Sequence, residues 1–345
     1  MDWMERLAAV EELEGIGLDA GLVAACEREA HATVGREIRF STPTFKTYSS
    51  CELAGCGKAS FPAFSVTGPA CALQCEHCRA KILEPMIPAT SPEALERKVR
   101  ELAATRELGG FLLSGGSNRR NEIRYERYYP VIERLKRDFP HLKIAVHSAL
   151  LDEPRARAME AAGVDTVMMD VIGARETIAE VYHLDRPVAD FEATLAALCA
   201  TSMQVVPHIV IGLHFGRILG EPAALDIVAR HRIHSLVLVI VMPFYARPAT
   251  YCTPQAEEAG WFFLEARKRI AGRPVLLGCA RPPGPHRRAT DAYAVLAGLD
   301  GIAYPAEGAL AVAAAIGRPA IQEHACCSVR TGRTIRLDSP TRLPA

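Results

Sequence analysis

Cys71, Cys75 and Cys78 form a Cys-x3-Cys-x2-Cys run directly after the apolar, strand-like stretch 62–68. A complete 4Fe–4S cluster takes four thiolates, so three closely spaced ones leave one iron open to a ligand that is not protein. In radical chemistry that ligand is S-adenosylmethionine, whose amino and carboxylate groups chelate the open iron before its C–S bond is split. A structural zinc ion is the alternative. Zinc sites usually pair two Cys-x2-4-Cys knuckles, or a knuckle with histidines, across a short domain. No second knuckle stands at that distance here, so the spacing favours the cluster, with the three cysteines at the seat of the chemistry.

A second set of cysteines is spread more widely: Cys51-x4-Cys56 precedes the central part of the chain, and the adjacent pair Cys326-Cys327 follows it. The chain has eleven cysteines, and in a reducing cell these point to thiolate ligands, because disulfides do not persist there. The natural reading is an auxiliary iron–sulfur cluster, of the 4Fe–4S type, held by Cys51, Cys56 and one or both of Cys326 and Cys327, with Cys279 in reserve. A structural zinc on the same sulfurs is the alternative. Cys26 and Cys199 lie in alanine-rich, helix-like stretches and read as small core residues.

Other candidates stand at the ends of strand-like runs. In Ser114-Gly115-Gly116-Ser117 the glycine pair lets the backbone approach a ligand with no Cβ in the way. Further ends supply His147 and Ser148, Asp170, His208, Met242 and the run Cys279-Ala280-Arg281. Singly, each is equally well a satisfied core or rim residue. Together they describe a polar pocket in which Asp170 and His208 can accept hydrogen bonds from ribose hydroxyls or an amino group. His214 and Glu221, in the loop that follows, have no readable role.

The elements that must position these residues follow from hydrophobic periodicity. Residues 1–35 carry apolar positions at helical spacing (Leu7, Val10, Leu13, then Leu22 and Ala25), and 1–45 are expected to form a helical extension. From Phe61 onward, β-rich runs alternate with helical stretches: 62–68, 110–115, 143–148, 166–170, 204–212, 236–242, 275–279 and 301–304. Ser91 and Pro92 open one of the intervening helices as N-cap and first residue, with Leu95, Val99 and Leu102 on one face. Eight such units predict an α/β fold, a TIM-type (β/α)8 barrel over 46–320, whose reactive groups gather at the carboxyl ends of the strands. A helix-like run at 308–315 leads to a C-terminal segment, 321–345, that carries Cys326 and Cys327 and ends in a basic, proline-containing tail. A closed barrel brings the segments flanking its first and last strands together, which is how the second cysteine set would meet.

Bulk properties exclude whole classes of function. With 40 basic and 40 acidic residues the formal net charge is zero, so nothing suggests a nucleic-acid or membrane surface. The longest apolar runs, such as 235–244, are strand-sized and far short of the ~20 residues that span a bilayer. The acidic, amphipathic start does not read as a signal peptide, and the protein is expected in the cytoplasm.

The exact x3, x2 cysteine spacing resembles the motif of the radical S-adenosylmethionine superfamily. In that family the residue before the last cysteine, here His77, is usually aromatic and lies near the adenine, and the Gly-Gly turn, here Gly115-Gly116, holds the amino group of the methionine moiety. Over 51–328 the chain resembles, more specifically, the two-protein lipoyl synthases, a branch related to biotin synthase. That resemblance rests on Cys51-x4-Cys56-Gly57, on Ser65-Val66-Thr67-Gly68-x2-Cys71-Ala72-Leu73-x-Cys75-x-His77-Cys78, and on Pro207-His208-Ile209-Val210-Ile211-Gly212-Leu213-His214. Gly278-Cys279-Ala280-Arg281-Pro282 and the terminal Cys326-Cys327-Ser328 complete it.

Two neighbouring families fit less well. One-chain lipoyl synthase has a Cys-x4-Cys-x5-Cys auxiliary motif, whose third position is Pro62 here, and biotin synthase draws its sulfur-donating cluster from strand cysteines where this chain offers His147 and His208. The resemblance implies a 5′-deoxyadenosyl radical that removes hydrogen from an octanoyl chain, and a carbon radical that attacks a sulfide of the auxiliary cluster. It implies as partners a companion lipoyl synthase subunit, an octanoylated lipoyl carrier domain and a reductant such as ferredoxin or flavodoxin. The rivals are another radical enzyme of the biotin-synthase branch, a maturase or mutase with a merely structural second metal site, and a non-catalytic, cluster-bearing partner subunit.

Overall fold

A computed structural model describes residues 2–43, 50–53, 60–105, 107–246 and 250–337. Its strands are β1 (Ile38–Ser41), β2 (Ala63–Ser65), β3 (Ile87–Pro88), β4 (Gly110–Ser114), β5 (Lys143–His147), β6 (Thr166–Asp170), β7 (Gln204–Ile211), β8 (Leu236–Ile240), β9 (Val275–Leu277), β10 (Gly301–Ala303), β11 (Ala320–Glu323) and β12 (Thr334–Leu337). Among the described residues they make one sheet, in the order β12-β11-β1-β10-β9-β8-β7-β6-β5-β4-β2-β3. Every ladder is parallel except β11 with β12. All eight expected strands are present, as β2 and β4 to β10, with helices in the crossovers. The sheet curls into a half-barrel of the α/β, TIM type; it does not close as an eight-stranded barrel, because β2 and β10 do not pair and the order ends in β3 on one side and in β1, β11 and β12 beyond β10 on the other.

The alternation of side chains along the strands builds two separate cores, as a pleated strand requires. Ile144, Val146, Val167, Val205, Ile209, Leu236, Leu238, Val275 and Ile302 face outward into a large cluster under the helices. Their neighbours Ala145, Met168, Val206, Val237, Val239, Leu276 and Ala303 face inward and pack with Phe61, Tyr304, Ala325, Cys327 and Val329. Residues from β5 to β10 meet in that inner cluster, which is possible only if the sheet wraps around them. Its two ends approach where Ser60 Oγ, just before β2, donates to the carbonyl of His324, just after β11, at 2.8 Å. The covering helices are amphipathic in the expected way: Ser91 Oγ caps Pro92–Thr105 by accepting from Ala94 N at 3.2 Å, and Leu95, Val99 and Leu102 are buried. Each such side chain contributes about 1.5–3 kcal/mol by leaving water.

The N-terminal stretch departs from a purely helical extension. Trp3–Leu7 and Ala20–Arg28 are helices, but β1 then enters the sheet between β10 and β11, with Arg39 beside Gly301 and Ile321. Short, with a central arginine, β1 shows no apolar run; long-range parallel pairing fixes it. The same reason hides β11, β12 and the two-residue β3. No helix among the described residues is long and apolar enough to cross a membrane.

Candidate active site

The cysteine loop leaves β2 and turns back on itself through three non-glycine residues with left-handed backbone, Gln74, Arg79 and Ala80. Such conformations cost about 1–3 kcal/mol each and persist where surrounding structure imposes them. Here the Cys75 carbonyl accepts from Cys78 N at 3.2 Å and Arg79 N at 2.9 Å, and Glu76 N donates to the Val181 carbonyl at 2.9 Å. The loop is stitched on its other side to the glycine turn after β4. Gly116 N donates to Thr67 Oγ1 at 2.7 Å, and Ala72 N to the Ser117 carbonyl at 2.9 Å. Position 116 admits only glycine: a Cβ there would stand 2.0 Å from the Ala70 carbonyl oxygen.

The three thiols face a cavity of about 300 Å³ at the carboxyl ends of the strands. Ser114, Gly115, Gly116, Ser117, His77, His147, Asp170 and His208 line the same cavity. Asp170 and His208 are register partners on β6 and β7. His147 Nε2 lies 3.7 Å from Asp170 Oδ1, and its ring stands edge-on to that of His208, with centroids 5.5 Å apart. Burial, reinforced by the neighbouring His147, pushes the His208 imidazole down to about 4, so it is neutral at physiological pH. Its Nδ1 lies 3.1 Å from the Val206 carbonyl. Among the thiols, Cys78 is held low, to about 4, first by its hydrogen bond with Cys75 and then by His77, while Cys75 is raised by the same bond and by burial.

Tyr182 was not visible as a site residue in the sequence, because it follows the helix Arg175–Glu180 instead of ending a strand. Its ring lies 5.1 Å from that of His77. Both Tyr182 Oη and His77 Nδ1 are buried without a hydrogen-bond partner among the described residues. Unsatisfied polar atoms at this depth cost about 1–3 kcal/mol each and call for a partner from a ligand.

Of the second cysteine set, Cys279, Cys326 and Cys327 line the cavity; Cys327 belongs to the inner cluster, and Cys279 and Cys326 pack against it. Cys326 is lowered to about 7, by its hydrogen bond with Cys327 before the more distant charge of Arg39. Cys327 is raised by that bond, by burial and by Cys326 and Cys279 nearby. Cys51 is exposed, with its backbone N 3.4 Å from Glu307 Oε1, and does not line the cavity; Cys56 lies outside the described residues. The reserve ligand Cys279 thus joins the terminal pair in the barrel. Glu221 has a structural place: its carboxylate accepts from Gly212 N, Leu213 N and Leu219 N at 2.7–3.2 Å. His214 Nδ1 lies 3.3 Å from Thr177 Oγ1.

Residues 65–215 match the family model of the Radical SAM superfamily, and they contain the cysteine loop, the glycine turn and the His147–Asp170–His208 group. Over this stretch the chain is similar to the radical SAM domain. The whole fold is similar to that of HydG, a maturase of the FeFe-hydrogenase, with a TM-score of 0.58 and 13% identity, over 88% of this chain and 68% of the other. The HydG of Carboxydothermus hydrogenoformans gives 0.56 and 14% over 87% and 70%. Methylornithine synthase (PylB) gives 0.51 and 10% over 88% and 85%. At such identities the likeness speaks for the fold alone. No curated protein matches the sequence.

A radical SAM domain implies a 4Fe–4S cluster and S-adenosylmethionine. Among the described residues no three His, Cys, Asp or Glu side chains converge on a single metal-ion position; what fits that pair is that Cys71, Cys75 and Cys78 border one cavity, that the missing Cβ at 116 keeps the backbone close to Cys71, and that His77 Nδ1 and Tyr182 Oη line up there as buried polar atoms with no partner among the described residues.

Proposed function

We propose that this chain inserts sulfur into a protein-bound octanoyl group, as a subunit of a two-protein lipoyl synthase. The observation that carries the reading is that a second group of thiols, Cys279, Cys326 and Cys327, opens into the same cavity as Cys71, Cys75 and Cys78. One enzyme site with two thiolate sets suits a reaction in which a carbon centre is first activated and then given sulfur.

In this reading Cys71, Cys75 and Cys78 hold the first cluster. Cys326 and Cys327 hold the auxiliary one, with Cys279, Cys51 and Cys56 as the remaining candidate ligands. When bound, the two clusters and S-adenosylmethionine supply a 5′-deoxyadenosyl radical, removal of hydrogen from an unactivated carbon, and the sulfide that the carbon acquires. The backbone of Gly115 and Gly116, flanked by Ser114 and Ser117, takes up the amino group, and Asp170 and neutral His208 accept from ribose hydroxyls. His77 packs beside the adenine. Leu112, Met168, Val210, Val239 and Met242 line the remainder of the cavity and give an alkyl chain a dry wall, which protects a reactive carbon from water. An octanoyl-lysine arm reaches such a cavity while its carrier domain docks outside, and a ferredoxin or flavodoxin provides the electron.

The test is to incubate the reconstituted chain, its companion subunit, S-adenosylmethionine and reductant with an octanoyl-lysine peptide. Thiolated peptide is the expected product. Cleavage of S-adenosylmethionine with no sulfur transferred would contradict the proposal.

A further inference from the structure

Arg39 and Glu323 form a buried ion pair, Nη1 to Oε2 at 3.0 Å, with side chains 10% and 1% exposed. It joins β1 to the end of β11. Both partners spend their remaining hydrogen bonds on one target, the connection 324–333 between β11 and β12, which contains Cys326 and Cys327 and no helix or strand. Arg39 Nη2 donates to the Cys327 carbonyl at 2.6 Å and Nη1 to the Val329 carbonyl at 3.3 Å. Glu323 Oε1 accepts from Thr331 Oγ1 at 2.7 Å, Thr331 N at 2.5 Å and Gly332 N at 3.1 Å. One ion pair therefore satisfies carbonyls with its cation and amides with its anion along a single loop.

A buried pair is an expensive way to stabilise a fold, since apolar residues of similar volume do as well or better. Its use is geometric: charge-assisted bonds to backbone fix a segment that has no ladder of its own. We propose that Arg39 and Glu323 are positioning residues for the Cys326–Cys327 pair, holding both thiols at the cavity through the backbone of the loop. The inference rests on the reading of that pair as cluster ligands only for its purpose; the clamp itself is measurable on the thiols.

The experiment measures alkylation of each cysteine in anaerobically purified full-length protein by iodoacetamide, followed by mass spectrometry, alongside iron content. The variants are Arg39→Met, Arg39→Lys, Glu323→Gln and the double variant Arg39→Met/Glu323→Leu, which leaves no uncompensated charge and keeps the test open if a single variant does not fold. Arg318→Met is the control: Arg318 is also buried but donates to the carbonyls of Arg36, Val295 and Leu299, away from the loop. Cys26, fully buried on the helix Ala20–Arg28, monitors the fold. The expected result is labelling of Cys326 and Cys327 roughly tenfold or more faster in Arg39→Met, Glu323→Gln and the double variant, intermediate in Arg39→Lys, with Cys26 unchanged, because a broken buried pair frees what it held. Unchanged labelling of the pair, or an equal rise at Cys26, would overturn the clamp. Selective labelling in a protein whose wild type binds one cluster's worth of iron would support the clamp and count against sulfur insertion.

Discussion

The backbone of Gly116 lies so close to Cys71 that a Cβ at position 116 would stand 2.6 Å from both the Cα and the Cβ of the cysteine. The turn after β4 and the loop after β2 are thus packed backbone to backbone. Gly116→Ala must push the cysteine loop away, an overpacking cost of about 1–3 kcal/mol. Anaerobic reconstitution is expected to give less iron bound at Cys71, Cys75 and Cys78 and weaker binding of S-adenosylmethionine. Gly115→Ala meets the movable methyl of Val66 at 2.7 Å, and its effect is expected to be smaller. Iron analysis and equilibrium dialysis check both.

Tyr182→Phe removes a buried hydroxyl with no partner among the described residues. The ligand-free protein is expected to keep or gain stability, by up to about 1–3 kcal/mol, since the unpaired group is a net cost. Binding of S-adenosylmethionine is expected to weaken by roughly tenfold, the worth of one hydrogen bond in a dry site. Urea unfolding and isothermal titration give the two signs separately.

His208 carries a prediction with pH. Its folded value, about 4, lies below the unfolded 6.5, so between those values the unfolded chain binds the extra proton and stability falls as pH falls. The loss over that window is about 2 kcal/mol, because part of the ring faces the cavity. It is absent from His208→Asn, whose urea midpoint in the metal-free protein should decline less between pH 7.5 and pH 4.5.

Arg281 and Asp291 are a fully buried bidentate pair, Nε to Oδ1 at 2.7 Å and Nη2 to Oδ2 at 2.9 Å. Arg281 also donates to the carbonyls of Gly278, Ala303 and Tyr304, locking the Cys279 turn to β10. Arg281→Met alone is expected to cost about 3–5 kcal/mol, and Arg281→Met/Asp291→Leu to recover much of it, because the single change strands a buried carboxylate. Thermal unfolding of the three proteins checks this.

What the sequence shows of this site depends on how local the cause is. The cysteine triplet, the glycine turn and the eight apolar strand runs are set by neighbours in sequence, and all are where the spacing put them. The meeting of His147, Asp170 and His208 follows from one rule about strand ends. Arg39 and Tyr182 escaped, since nothing near them in sequence distinguishes them from a surface arginine or a core tyrosine. Their importance comes from partners such as Cys327, 288 positions away, and from a hydroxyl that only the folded cavity leaves unpaired. Cys279, placed in reserve on spacing, stands beside the terminal pair for the same long-range reason.

The most direct measurement is the release of 5′-deoxyadenosine by anaerobically reconstituted protein given S-adenosylmethionine and a strong reductant, with Cys75→Ala in parallel. Release by the wild type that tracks its iron content, and none from Cys75→Ala, is the predicted result. Zinc in place of iron at the triplet, or no deoxyadenosine from iron-replete protein, would contradict the account.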